Sequence, residues 1–370
     1  MFIEGTQISG RPSEGSVLLL VRLSGDDPLL GLGEARALCE ARTGVADVVE
    51  SSPPVGLLRC GGEVDLGALC GFVPESGPLV WRGSVDEFDP RGLVAGPLAI
   101  DGPAKADAEG FGRSSPEVAR ELGELLIRAG VPIDVRRPRS ILKALRVGDS
   151  VYVAVIRPHR GKWRSRDLRL RPFRHPSMLE PRLARALVNL SRPVVGGALL
   201  DPFSGTGGVL LEGEVVGCLP VGVDLDWRMA RGALRNVSWA GSIGGIIRGD
   251  ARALPVGRAD CAASDLPYGR MSSSHGSSTE ELLSSVVGQL PRILRTGGYA
   301  ALMVRERVRP ASAEGVELLE TYLHRVHDAL TRKILVYRVT GADDRADVPG
   351  HGLRVPGPRQ EAAVGGPQAR

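Results

Sequence analysis

The sequence predicts an α/β protein: a C-terminal half with a Rossmann-type, open and largely parallel sheet, preceded by a smaller α/β region. Three observations support this. Between residues 197 and 269, four short apolar runs each end in a glycine-rich or acidic turn, which is how strands deliver ligand contacts along one sheet edge. Upstream, Ser115–Ala129 and Glu180–Leu190 carry apolar residues at helical spacing, whereas Val151–Ile156 is apolar at every position. Finally, 370 residues with 42% hydrophobic and 24% charged side chains are too many for one core and apolar enough to offset chain ordering, which excludes global disorder.

Taken in order, Ser16–Leu23 reads as a strand, followed past Asp26-Asp27-Pro28 by a helix near Glu34–Glu40. Residues 51–105, rich in glycine and proline, yield short apolar runs without a definite order. Ser115 is expected to cap a helix with Pro116 and Glu117 in its first turn, Val118, Leu122, Leu125 and Ala129 on one face, and Gly130 as its stop. Val131–Val135, a short helix over Ser140–Leu145 and the strand Val151–Ile156, covered on both faces, complete this half.

Of 47 basic residues only Lys105, Lys143, Lys162 and Lys333 are lysine. Codon bias explains an arginine excess as readily as phosphate recognition does, but position favours the latter: Arg157–Arg174 concentrates cations with Asp167 as its one acidic residue. This stretch is read as a nucleic-acid surface. The five cysteines are scattered, with no CxxC pair, so neither a disulfide scaffold nor a zinc site is expected. His324 and His327 have metal spacing on an expected helix but no third ligand nearby, and packing or hydrogen bonding is the preferred reading. No metal is expected. No apolar run reaches bilayer length, and the first residues lack the basic and apolar regions of a signal peptide. A cytoplasmic protein without membrane contact is the expectation.

The strand Gly197–Leu200 runs into Asp201-Pro-Phe-Ser-Gly-Thr-Gly-Gly208, a turn whose glycines permit close backbone approach to a ligand. Val221–Asp224 ends the next strand on an acidic residue suited to ribose hydroxyls, a third strand near Gly245–Ile247 precedes Gly249-Asp250, and a fourth, Cys261–Ser264, delivers Asp265-Leu266-Pro267-Tyr268-Gly269. A dinucleotide requires G-x-G-x-x-G facing a pyrophosphate. Here Asp201 at the loop mouth would repel that group but attract the ammonium of S-adenosylmethionine, so the methyl donor is the expected cofactor. Methylating an exocyclic amine requires both N–H groups to be oriented. Asp265 and the Leu266 carbonyl supply two acceptors, and Tyr268 a face for base stacking.

Residues 172–340 resemble the Rossmann-fold domain of THUMP-containing RNA guanine-N2 methyltransferases, most closely the archaeal tRNA enzymes acting on guanosine 10. The likeness rests on Arg174–Leu190, Asp201–Gly208, Gly222–Met229, Asp250, Asp265–Gly269 and His327–Arg332. The helix from Ser115, Val131–Val135 and the strand ending at Arg157 resemble a THUMP module. The resemblance implies a ferredoxin-like region over 1–97, a THUMP-like RNA-binding domain over 98–157 and the methyltransferase domain over 179–340; the cationic stretch then falls in a basic linker over 158–178, and the tail over 341–370, with its many Gly, Pro and Arg residues, is expected to be disordered. It further implies that Asp201, Gly205 and Gly207 line the methionine end of the donor, that Asp224 holds ribose and that Asp250 reads the adenine amine. Phe203, Leu225 and Ala251 would lie beside them, and Asp265, Leu266, Pro267 and Tyr268 would hold the target base. Ser204 replaces the loop cysteine common in that family, and Leu266 its usual first proline.

The implied activity is transfer of a methyl group to the N2 amine of a tRNA guanosine extruded from its stack. Methylation of adenine N6 in RNA or DNA, and non-catalytic RNA binding by a degenerate methyltransferase fold, are the alternatives. Asp226 is read as either a helix cap or a site residue, and Trp227 as a packing residue. The loop Arg270–Thr279 is read as either a surface connection or a lid ordered by substrate.

Overall fold

Alternating apolar runs and glycine turns fold into two seven-stranded sheets in the computed structural model, which describes residues 15–93, 100–159, 163–267, 277–327 and 330–341. The first sheet uses β1 (Val17–Arg22), β2 (Ala46–Ser52), β3 (Val55–Cys60), β4 (Glu75–Ser84), β5 (Ala104–Glu109), β6 (Ser140–Val147) and β7 (Ser150–Ile156), in the order β2-β3-β1-β4-β7-β6-β5. With it go helices α1 (Pro28–Thr43), α2 (Leu66–Leu69) and α3 (Ser115–Arg128). The start of β4 pairs with β1 and its end with β7. The segments on either side of residue 97 therefore share one sheet.

Several expectations are corrected here. Ser140–Leu145 is strand, not helix: β6 lies between β5 and β7 with both faces covered, and backbone pairing outweighs the local helix preference of Leu-Lys-Ala-Leu. Lys143, nearly buried in that strand, is held by Glu75 and Glu109. Val131–Val135, given no element type from sequence, is irregular chain with one bridge, Ile133 to Ala104. In α3 the cap position falls on Ser114, without a side-chain cap bond, while Leu122, Leu125 and Leu126 are buried. The helix expected near Glu34–Glu40 extends over Pro28–Thr43, because Asp27 accepts from the Leu30 N–H at 3.0 Å and caps it. Cys39 and Cys60 form a disulfide between α1 and β3; the pairing was invisible in their spacing. Val151–Ile156 is buried throughout, as expected of a strand covered on both faces.

The second sheet uses β8 (Ala198–Asp201), β9 (Leu219–Asp224), β10 (Gly245–Arg248), β11 (Cys261–Asp265), β12 (Tyr299–Arg305), β13 (Val316–His327) and β14 (Leu330–Val339), ordered β10-β9-β8-β11-β12-β14-β13. The first five run parallel, β14 is antiparallel to β12, and β13, antiparallel to β14, runs in the direction of the first five. Strand order reverses between β8 and β11, and that crevice is where open sheets of this kind bind ligands. Helices α4 (Pro181–Leu190), α5 (Gly208–Val215), α6 (Trp227–Trp239) and α7 (Thr279–Ile293) cover the sheet. His324 and His327 lie on β13 rather than on a helix, and no group of three metal-ligating side chains occurs among the described residues. His324 bonds to Asp27 at 3.0 Å and meets the Phe72 ring edge-on. The loop over 270–279, surface connection or lid, lies mostly, and the tail over 341–370 almost wholly, outside the described residues.

The two sheets are joined by shared burial. Leu30, Ala37 and Phe72 from the first half enter one core with Leu183, Ala184 and Leu187 of α4. Glu34, fully buried on α1, accepts from the N–H groups of Gly71 (2.6 Å) and Phe72 (2.8 Å) and from the Asn189 amide on α4 (2.7 Å). Arg192 bridges Glu40 on α1 and Glu320 on β13. The basic segment is only partly a surface: Arg171 is buried, and Arg166 turns inward to Glu212, which also pairs with buried Arg185.

Candidate active site

The turn after β8 is held by its neighbours rather than by its own sequence alone. Gly205 and Gly207 take φ of +51° and +82°, left-handed values that favour glycine. Asp224, at the end of β9, accepts from the Gly205 N–H and the Asp226 N–H, each at 2.9 Å. Ser204 tucks beneath the turn over Gly222, where a Cβ would stand 2.7 Å from that of Ser204. Glycine at 222 is therefore required for the β9 backbone to pass under the loop.

Asp201 is almost wholly buried and accepts from the Ser264 hydroxyl and the Phe203 N–H (3.2 Å). Burial, opposed by those two bonds and aided by the charge of Asp224, raises its carboxyl to about 7. It ties the turn to β11 as well as lining the cleft. Asp250, beyond β10, accepts from the Arg252 N–H at 2.9 Å and from its guanidinium at 2.6–3.0 Å. Those contacts occupy the carboxylate's acceptor directions with a half-exposed pair, which is weakly held.

Asp265 closes β11 with its side chain 15% exposed, and Nη1 of Arg332 on β14 lies 3.1 Å from its Oδ1. Burial raises the Asp265 carboxyl to about 7; Arg332 opposes that shift and Asp201 adds to it. The Leu266 N–H donates to the Met303 carbonyl at 2.9 Å, and the Thr279 hydroxyl donates to the Pro267 carbonyl at 2.9 Å. The peptide on both sides of the Leu266 carbonyl is thereby fixed by β12 and α7. Tyr268, the expected stacking residue, lies outside the described residues.

These elements line one cleft of about 430 Å³, within the ~300–1,000 Å³ range of small-molecule sites. Asp201, Phe203, Gly205, Asp224, Leu225, Asp250, Ala251, Asp265, Leu266 and Pro267 all border it, whereas Gly207 stands behind the turn as the cap of α5. Sequence reasoning had not singled out Leu282 or Arg252, and had given no role to His175, Ser177, Met229 or Arg332 within the stretches that carry the resemblance. The His175 ring bonds to the Ser177 hydroxyl at 2.7 Å. Asp226 resolves as the α6 cap, accepting from the Arg228 N–H at 2.8 Å, and Trp227 is exposed rather than packed.

A glycine turn at the switch point, followed by carboxylates at the ends of three successive strands, defines the class: a Rossmann-type methyltransferase domain. Residues 169–334 match the profile of the RMKL-like methyltransferase domain. The chain is 32% identical to the tRNA (guanine(10)-N2)-dimethyltransferase of Methanothermobacter thermautotrophicus over 239 residues, which are 60% of this chain and 68% of that protein. It is 29% identical to the protein of the same name from Pyrococcus abyssi, covering 85% of this chain and 98% of the relative. With the tRNA (guanine(6)-N2)-methyltransferase of Thermus thermophilus it shares 36% identity over 38% of this chain and 43% of that protein. The chain belongs to the tRNA (guanine(10)-N2)-dimethyltransferase family.

Proposed function

We propose that this protein methylates the exocyclic N2 amine of guanosine 10 in tRNA, with S-adenosylmethionine as donor. The observation that carries the reading is that the Asp265–Leu266 acceptors and the Gly205–Asp224 turn border the same cleft. The residues suit the donor: left-handed glycines open the turn, and an acidic lining meets a cationic molecule without the repulsion a pyrophosphate would suffer. Asp224 borders the cleft at the end of β9, where its carboxylate would face the ribose hydroxyls.

The donor, when bound, supplies a methyl group on a positively charged sulfur. The protein's part is orientation. The amine lone pair of guanine is delocalised into the ring, and two acceptors in fixed positions turn the N–H groups away and the lone pair towards the incoming carbon. Arg332 occupies one oxygen of Asp265 and leaves the other for the amine. An ionised Asp265 also stands ready to take the proton that the methylated nitrogen must lose. The target base has to leave its stack to enter the cleft.

In this reading the segment over 98–157 is a THUMP-like RNA-binding module beside a ferredoxin-like region, and the enzyme works on tRNA in the cytoplasm. No described helix is long and apolar enough to cross a membrane. The test is incubation of the intact chain with an unmodified tRNA transcript and methyl-labelled donor, followed by nucleoside analysis and position mapping. N2-methylguanosine or its dimethyl form at position 10 is expected. N6-methyladenosine would replace the reading with its alternative, since the same two acceptors fit that amine, and absence of label would leave only a binding role.

A further inference from the structure

The outer face of α6, a helix that starts at the cleft, is cationic and without an acidic partner among the described residues. The helix, Trp-Arg-Met-Ala-Arg-Gly-Ala-Leu-Arg-Asn-Val-Ser-Trp, holds three arginines and no acidic residue. Its inner face, Ala230, Gly232, Ala233, Asn236 and Val237, is buried, whereas Arg228, Arg231 and Arg235 are exposed and make no ion pair or hydrogen bond from their guanidinium groups to a described residue. At a rise of ~1.5 Å per residue the three arginines form a stripe ~10 Å long. Two large apolar rings flank it, Trp227 at 52% and Trp239 at 44% exposure.

Such a face has no structural use for its charge. Elsewhere in the molecule several buried or half-buried arginines meet carboxylates, as Arg185 meets Glu212 and Arg192 meets Glu320. Three uncompensated guanidinium groups interleaved with exposed indoles match a polyanion whose units also present flat aromatic faces. The helix is also continuous with the cleft, because Asp226 and Met229 at its start line it. The basic linker arrives at the same place. The Phe173 ring packs where Gly232 has no side chain, and the Asn236 side chain accepts from the Phe173 N–H (2.9 Å) and donates to its carbonyl (3.0 Å). Arg174, the next residue, is exposed.

We propose that the outer face of α6, with Arg174 at its margin, is an RNA-docking surface that leads the substrate strand from the N-terminal half to the cleft. This rests on the reading of the protein as a tRNA methyltransferase and adds a contact surface on the catalytic domain itself. Phosphates would take the arginine stripe, and an unpaired base would stack on Trp239.

The test compares the intact wild-type chain with the variant Arg228→Gln/Arg231→Gln/Arg235→Gln and with Trp239→Ala, using an unmodified tRNA transcript over a range of salt concentrations. Calorimetric donor affinity and thermal unfolding are the controls and should not change, since these side chains are exposed. The triple variant should bind tRNA at least tenfold more weakly near physiological salt, with the slope of log affinity against log salt shallower by about two to three, because each lost phosphate contact removes about 0.7–0.9. Trp239→Ala should weaken binding while leaving that slope unchanged. Wild-type affinity and slope in the triple variant would overturn the assignment while the proposed activity stood. So would sedimentation showing a wild-type dimer that the triple variant abolishes at unchanged tRNA affinity, since the face would then serve a second copy of the chain. No tRNA binding by the wild-type chain would overturn both this assignment and the proposed function.

Discussion

Arg332 and Asp265 stand 67 residues apart in sequence, yet Nη1 of one lies 3.1 Å from Oδ1 of the other, and both side chains are about 15% exposed. Strand β14 runs antiparallel to β12, and β12 is the parallel neighbour of β11, so the sheet carries the guanidinium across to the strand end that holds the carboxylate. The pair defines which oxygen of Asp265 is free, and three of the predictions below depend on it or on its neighbours in the cleft.

Replacing Asp265 with asparagine should cut single-turnover methyl transfer by a factor on the order of 10² or more, through lost orientation of the amine. Donor and tRNA affinities should stay near wild type, because the turn around Gly205 is held by Asp224 and not by Asp265. Asparagine is the better probe than alanine: its side-chain carbonyl can still accept from Arg332, whereas alanine removes that acceptor altogether and would cost ~3 kcal/mol of stability as well. Near-normal turnover by Asp265→Asn would move the acceptor role to another group.

The rate of the chemical step should rise with pH through about 7, where the buried Asp265 ionises. The charged groups facing it are Arg332, which favours the ionised form, and Asp201, which disfavours it. Removing the cation in Arg332→Gln raises the carboxyl further, so the midpoint of the pH profile should move to higher pH, with a larger loss at pH 6 than at pH 9. A profile whose midpoint does not move would limit Arg332 to a structural role.

Asp224→Asn should weaken donor binding, measured by calorimetry, by tenfold or more, as expected when charged acceptors worth ~1.5–3 kcal/mol per bond become neutral. Asp224→Ala should be worse, since the Gly205 N–H then loses its partner and the turn loosens as well. Unchanged affinity in both variants would take Asp224 out of the donor site.

Glu34→Ala should lower the unfolding free energy in urea by on the order of 3 kcal/mol or more, because three buried donors, on Gly71, Phe72 and Asn189, lose their common acceptor. The loss should appear in one transition that includes both halves of the chain. For the same reason, cutting the chain before residue 172 would bare Asn189 and Arg192 along with the apolar face of α4. Roles of the two halves are therefore better separated by substitution in the intact protein than by truncation.

The amino-acid sequence by itself determined the edge that borders the cleft: the glycines at 205 and 207, and the acidic residues at 224, 250 and 265, each follow a short apolar strand, and such punctuation is local. The α4 face and the buried strand Val151–Ile156 were legible for the same reason, since their periodicity is read within a dozen residues. Tertiary structure alone decided the rest. Ser140–Leu145 became a strand because β5 and β7 were there to pair with it, and His324 left its expected helix for β13 and a bond to Asp27. The inward turn of Asp201 towards Ser264, the loading of Asp250 by Arg252 and the seating of Arg332 on Asp265 are properties of fixed side chains in three dimensions. A carboxylate's place at a strand end is set by neighbours in sequence, but its charge, its free oxygen and hence its chemistry are set by burial and by partners that only the folded sheet brings within 3 Å or so of it.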